Sequence, residues 1–351
     1  MVNIAEGCPR LDARDVTARP WNTSRKSPSP PAGRLLEGRS VRTRQRAEAA
    51  QLEVVPTLAQ LVRAVDAVLS IVPTMSAAAV GAGIAQAIVQ TGKPLYFIEA
   101  NAISPMASTA IEDAVIRAGG RYIDGCIIGG PGSMGSSGMF YLSGPDAEVA
   151  AAALQSHGLQ VEVLGGRAGQ ASAFKMGYAG FTKGTTALLL ELTLMAHAWG
   201  FLDTLLAKYA SSHAEAFRMF ITHLTTWPEY AAIRAQEMVE LTAMAEAAGF
   251  QPVMAPGAQQ ILTALAQLPW DPHDPRDQAA LARGLPIQEL IQLLAAKGLR
   301  QAAGEHARRD RVQWAAHCGS ARRRHAPGLG GRGRLCRLAR CGCCSRSPAY
   351  S

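Results

Sequence analysis

The chain has 351 residues, 48% of them apolar, which is enough for two domains with a sizeable core. Its formal charge of +8 suggests a nucleic-acid binder only until the charge is mapped. Residues 300–351 hold 12 Lys+Arg against 2 Asp+Glu, and residues 1–46 hold 10 against 4. Those ends carry +10 and +6 of a total of +8, which leaves −8 for residues 47–299. The centre is acidic, so the high pI excludes nothing and implies no nucleic-acid partner.

Both ends are rich in Arg, Pro, Gly, Ser and Ala without helical or strand periodicity, and the expectation for 1–40 and 300–351 is disorder. Five of the seven cysteines lie in the second of them: Cys318, Cys336, Cys341, Cys343 and Cys344. They lack the paired two-residue spacing of a zinc knuckle, so no metal is expected. The first 30 residues have no apolar core of a signal peptide, and the sequence contains no run of 18 uncharged apolar residues. A cytoplasmic protein without a membrane span is the expectation.

Residues 47–164 alternate short apolar runs with helical patterns. Ala47–Ala50 reads as the end of a helix, Leu52–Val55 as a strand, and Thr57–Ala64 as a helix with Thr57 as its N-cap. Ala67–Val72 is a buried strand stopped by Pro73, Ser76–Thr91 a small-residue helix ending at Gly92, and Leu95–Ile98 the next strand. Ser108–Ala118 reads as a helix, Tyr122–Ile128 and Met139–Ser143 as strands, Ala147–Ser156 as a helix and Gln160–Val163 as a strand. Strands separated by helices of this length make a parallel, doubly wound sheet. From Ala171 the pattern is helical: Ala171–Ala210, His213–Leu224, Trp227–Ala248, Ala255–Ala266 and Leu285–Lys297. The fold class is therefore α/β, a Rossmann-like parallel sheet over residues 41–165 followed by an all-α domain over 166–299.

Open sheets of this kind bind ligands beyond the carboxyl ends of their strands. Four loops end there: Pro73-Thr74-Met75, Glu99–Pro105, Gly129–Ser133, and Gly165–Gly169, which leads into Lys175. No acid lies within seven residues of Lys175, and its neighbours are Ala173, Phe174, Met176 and Gly177. A lysine in such company either snorkels to the surface or is held in a pocket for chemistry. Gly130-Pro-Gly132-Ser-Met-Gly135 matches the phosphate-loop spacing, but the strand that follows leaves no helix N-terminus for a pyrophosphate. Gly81-Ala-Gly83 lies inside a helix and fails too.

Five segments in this order, Asp66–Pro73, Glu99–Pro105, Asp124–Pro131, Gly166–Lys175 and Arg234–Gly257, resemble the β-hydroxyacid dehydrogenases, the family of 3-hydroxyisobutyrate and 6-phosphogluconate dehydrogenases. The resemblance runs from about Arg44 to Lys297. It implies NAD(P)-dependent oxidation of a small hydroxy acid, or the reverse, by a homodimer. By the same resemblance Lys175 is the general acid/base, Gly129 and Gly130 lie against the substrate carboxylate, and Tyr178 stands where members carry asparagine. Val72, Pro73, Asn101 and Ser104 would lie near the nicotinamide, and Arg42 and Arg44 near an NADP 2′-phosphate. Ile128 replaces a substrate-binding serine, which predicts a different, bulkier substrate. The family's first strand and glycine loop have no counterpart in Met1–Gly38. Two readings stay open on that ground, a dehydrogenase binding NADP or NAD weakly, and an inactive but folded dimeric remnant.

Overall fold

The computed structural model describes residues 32–33, 48, 53–129, 138–269 and 284–299. Two two-residue strands, β1 (Ala32–Gly33) and β2 (Glu53–Val54), pair in parallel. Helix α1 (Leu58–Ala64) follows, and the Thr57 hydroxyl accepts the Gln60 N–H at 3.1 Å, so the expected N-cap is in place.

A five-stranded sheet then runs in the order β3 (Ala67–Ser70), β4 (Tyr96–Glu99), β5 (Arg121–Ile128), β6 (Met139–Ser143) and β7 (Gln160–Gly165). Helices α2 (Ala77–Thr91), α3 (Pro105–Arg117) and α4 (Ala147–Gln155) connect them, with a 3₁₀ turn at Thr74–Ser76 before α2. Three pairings are parallel, β3–β4, β4–β5 and β6–β7. The fourth departs from an all-parallel sheet, since β6 runs antiparallel to β5. The cause is length: residues 129–138 are too few for the crossover a parallel return needs, roughly a dozen residues or more.

Strand periodicity sends alternate residues to opposite faces. Val68, Phe97 and Tyr122 pack under α1–α3 with Ile84, Ile88 and Val115. Leu69, Ile98, Ile123, Phe140 and Leu142 pack under α4. Among the described residues β3 is one edge of this sheet, yet Val68, Leu69 and Ser70 are all buried.

Beyond β7 the chain is helical: α5 (Gln170–Ala198), α6 (Leu202–Ser212), α7 (Ala214–Leu224), α8 (Trp227–Ala247), α9 (Met254–Ala266) and α10 (Ile287–Ala296). The single helix expected over Ala171–Ala210 is two. Gly200, at φ 78°, takes the left-handed backbone that ends α5, and the chain restarts as α6. Leu190, Leu194, Phe220, Trp227, Met238 and Leu262 are fully or nearly fully buried around α5. Each contributes roughly 1.5–3 kcal/mol by leaving water. Among the described residues no helix is long and apolar enough to cross a membrane, and none of their His, Cys, Asp and Glu side chains form a metal-binding group.

Candidate functional site

The site begins with one acid in an apolar strand. β5 reads RYIDGCII, and Asp124 is fully buried at its centre. A buried carboxylate must find donors or destabilise the fold, and this one finds five. Oδ1 accepts the hydroxyls of Ser108 on α3 (2.8 Å) and Ser172 on α5 (2.5 Å). Oδ2 accepts the Ser143 hydroxyl of β6 (2.9 Å) and the backbone N–H groups of Gly169 (2.9 Å) and Ser172 (3.0 Å). Those two N–H groups belong to the open first turn of α5, which has no partner within its own helix. Gly169 can present its N–H because it sits at φ 90°, a backbone that a residue with a side chain rarely adopts. Ser143 adds a bond from the Ala171 N–H, at 3.0 Å. The sequence signal for Asp124 is a lone acid between apolar residues of one strand.

Three residues beyond Ser172 on the same helix stands Lys175. Its Nζ donates to the carbonyl oxygen of Ile127 at 2.6 Å, at the carboxyl end of the strand that holds Asp124. One strand thus grips the helix twice, at its first turn and at the lysine. Phe174 packs on Tyr141 of β6 with ring centroids 4.5 Å apart and steadies the same turn. Burial holds the Lys175 amine below its usual 10.5; Glu237 of α8 pulls it up again, while Lys183 one helix face along pushes it down. Cys126, on the same strand, is pushed up to about 12 by burial, so its thiol stays protonated and inert.

The remaining candidates fall into three sets. Gly129 follows β5 with φ 129°, beside the Ile127 carbonyl in sequence, whereas Gly130, Arg42 and Arg44 lie outside the described residues. Tyr178, one turn after Lys175, is 45% exposed and is not a core tyrosine. Val72, Pro73, Asn101 and Ser104 do gather where β3 and β4 end. Asn101, however, is committed to the protein. Its Oδ1 accepts the Val72 N–H at 2.5 Å, and its Nδ2 donates to Ser70 Oγ at 3.1 Å and to Glu99 Oε1. It braces one loop against the other. Ser104 is the N-cap of α3, which therefore starts at Pro105 and not at Ser108; its hydroxyl accepts the Ala107 N–H at 3.3 Å.

Glu99 is fully buried beneath this brace. Oε1 also accepts the Asn101 N–H at 3.2 Å, and Oε2 has no hydrogen-bond partner. Burial raises it from 4.5 to about 8, against the lowering effect of Ser70 and Asn101, and the neighbouring Asp124 adds to the rise.

Arg234, Glu237 and Glu240 on α8 face inward. Glu237 pairs with Lys183 at 2.5 Å, both side chains 14% exposed. Glu240 Oε2 accepts the Ser104 N–H at 2.9 Å, tying the helical region to the loop after β4. Arg234 donates to Thr226 Oγ1 at 2.8 Å.

A dinucleotide fits this edge in part. Lys175, Gly129 and the loops at Val72–Pro73 and Ser104 suit its nicotinamide end, with apolar contacts and backbone close at hand. The stretch Met1–Gly38, in which the sequence offers no counterpart of the family's glycine loop, lies outside the described residues but for 32–33.

No protein-family profile matches the chain. A protein of Methanothermus fervidus, an uncharacterized 28.5 kDa protein in the 7S RNA 5′ region, is 27% identical over 182 residues, 52% of this chain and 68% of that one. The crystal structure of 3-hydroxyisobutyrate dehydrogenase from Salmonella typhimurium is 17% identical at a TM-score of 0.54, covering 75% of this chain and 90% of its own. The Mycobacterium tuberculosis 3-hydroxyisobutyrate dehydrogenase structure with L-serine is 16% identical at 0.52, covering 73% and 88%. At such identities the likeness is one of fold.

Proposed function

From the premise that this chain has the fold of the β-hydroxyacid dehydrogenases, we propose that it is an NAD(P)-dependent oxidoreductase acting on a small hydroxy acid, with Lys175 as general acid/base. The observation that carries this is the Lys175 ammonium nitrogen, partly buried, lowered from its usual range and fixed 2.6 Å from the Ile127 carbonyl at the strand end. A lysine serves as a base only when neutral, and the burial that disfavours its charge brings that state closer to neutral pH.

A bound nicotinamide would supply the hydride chemistry at the carbinol carbon, in either direction. Neutral Lys175 takes the hydroxyl proton onto Nζ as the carbonyl forms, and gives it back in the reverse direction. Ile127 holds the amine on the reacting side, and Asp124 fixes the turn from which it projects. Gly129 leaves backbone space for the substrate carboxylate. Val72, Pro73 and Ser104 border the nicotinamide position, and Asn101 keeps Val72 in place.

Fluorescence titration with NADPH tests the first half: saturation in the micromolar range supports the reading, and no binding up to millimolar ends it. Lys175→Ala tests the second. Turnover should fall by about 10²–10⁴-fold, the usual worth of a positioned acid/base group, with NADPH affinity within twofold. Unchanged turnover would refute the role. In the oxidation direction kcat/KM should rise with pH and level off below 10.5, because lowering the pH through the depressed value protonates the base.

A further inference from the structure

Glu99 and Asp124 face each other across one strand boundary, and only one of them can carry a charge. They are register partners on β4 and β5, both fully buried, and neighbouring strands run roughly 4.8 Å apart. Two carboxylates at such range and out of water do not both ionise. The titratable groups on that side of the sheet bring no relief. Asp124 and Tyr122 of β5, Glu112 of α3 and, beyond Ser104, Glu240 of α8 are acids or a phenol, none of them cationic. Asp124 accepts from five donors, whereas the polar neighbours of Glu99 are Ser70 and Asn101. The proton of the pair therefore rests on Glu99.

That proton bears on the loops at the sheet edge. Asn101 donates to Glu99 Oε1 from both its backbone N–H and its Nδ2, and its Oδ1 accepts the Val72 N–H at 2.5 Å. One side chain thus links the carboxyl group to the loop after β3. A second tie, from the Thr74 hydroxyl to the Ala102 carbonyl at 3.1 Å, joins the same two loops without Glu99. Glu99 is the last residue of β4, flanked by β3 and β5, so its way to water runs between these loops. We propose that Glu99 is a positioning residue for cofactor binding: protonated, it sets Val72 and the loop after β4 through Asn101, and on losing its proton it turns toward water and loosens both. A second charge beside Asp124 is relieved by solvation, and Asn101 moves with the carboxyl group to which it is bonded. The Thr74 tie keeps the loops from parting altogether. Burial, with Asp124 adding to it, raises Glu99 to about 8, so the hold is complete at lower pH and is lost as the pH rises through that value. The cofactor half of this inference rests on the reading of these loops as the border of the nicotinamide; the loop half stands on the bonds themselves.

Fluorescence titration of the full chain with NADH tests the first half; NADPH is avoided because its 2′-phosphate itself titrates near about 6. From pH 7 to pH 9 the wild-type Kd should rise about tenfold, while that of Glu99→Gln stays within about twofold. Lys175 titrates in both proteins, so the difference between the two profiles belongs to Glu99. A role in folding alone would change affinity at every pH and leave the slopes equal. A level wild-type profile overturns the proposal, as does an equal rise in the variant. Absence of NADH binding at every pH defeats the dehydrogenase reading and the cofactor half with it, and the loop half is then decided by amide exchange. That measurement, made by NMR on the wild-type chain, needs neither cofactor nor a variant that folds. Protection of the Val72 N–H, corrected for its intrinsic rate, should fall about tenfold from pH 7 to pH 9. The Arg121 N–H, bonded to the Leu95 carbonyl before the other end of β4, should keep its protection. Unchanged protection at Val72, or an equal loss at Arg121, overturns the proposal.

Discussion

Two buried carboxyl groups stand side by side, one at the end of β4 and one in the middle of β5. Glu99 and Asp124 are register partners on neighbouring parallel strands, on one sheet face, and each is fully buried. Asp124 is met by five donors from three elements and the loop before α5. Glu99 is met by Asn101 at one oxygen, with Ser70 beside it also holding it down, and burial still raises it to about 8. The difference shows that burial by itself does not decide what a carboxyl group does in a core. The number of donors pointed at it does. Asp124 organises the start of α5, and Glu99 holds a proton at neutral pH and braces two loops.

The comparison breaks most visibly at Asp124. Replacement by Ala leaves three hydroxyls and two backbone N–H groups in the core without their acceptor, and the expected loss is about 3–5 kcal/mol in chemical denaturation. Asp124→Asn, which keeps the shape and part of the accepting capacity, should cost less. A loss under 1 kcal/mol for the Ala variant would mean that the cluster is not the anchor described.

Glu99 gives the next effect, and its sign is opposite to that of an ordinary salt-bridged acid. Its value is raised on folding, so the stability it contributes is complete below 4.5 and is lost as the pH rises toward about 8. Across that window wild type should lose up to about 1.4 kcal/mol per pH unit from this group. Glu99→Gln keeps an acceptor for Asn101 and cannot ionise. Its melting temperature should therefore be flatter between pH 5 and 8, and parallel curves for the two proteins would refute the assignment. The smallest change is Ser172→Ala, which removes one of the five donors to Asp124 and should cost about 1–2 kcal/mol while Asp124 keeps the rest.

The sequence carried most of the fold and less of the site. Strand Met139–Ser143, the Thr57 cap and the end of α2 at Gly92 follow from local patterns, and the structure has them. The direction of β6 was legible only by counting the residues before it. Gly200 was readable as a stop, but the apolar run on either side of it outweighed the signal. In the site, Lys175 stood out because its neighbours are apolar. Asp124 and Glu99 did not, because a lone acid in a strand looks the same whether many donors or few will meet it; the donors to Asp124 come from α3, β6 and α5, far off in sequence. The inward polar face of α8 is illegible in the sequence for the same reason. Its partners, Lys183 and the Ser104 N–H, are more than 50 residues away.

The double grip of β5 on α5 has a consequence for how this chain can vary in length. Ser172 and Lys175 both meet β5, and a helix turns about 100° per residue. Inserting or deleting one residue between them would swing the lysine away from Ile127 while the first turn stayed in place. That span is closed to indels. The break at Trp199–Phe201 lies after the last turn of α5 and can lengthen at little cost to Lys175, so related chains of different size should differ there and not between 172 and 175.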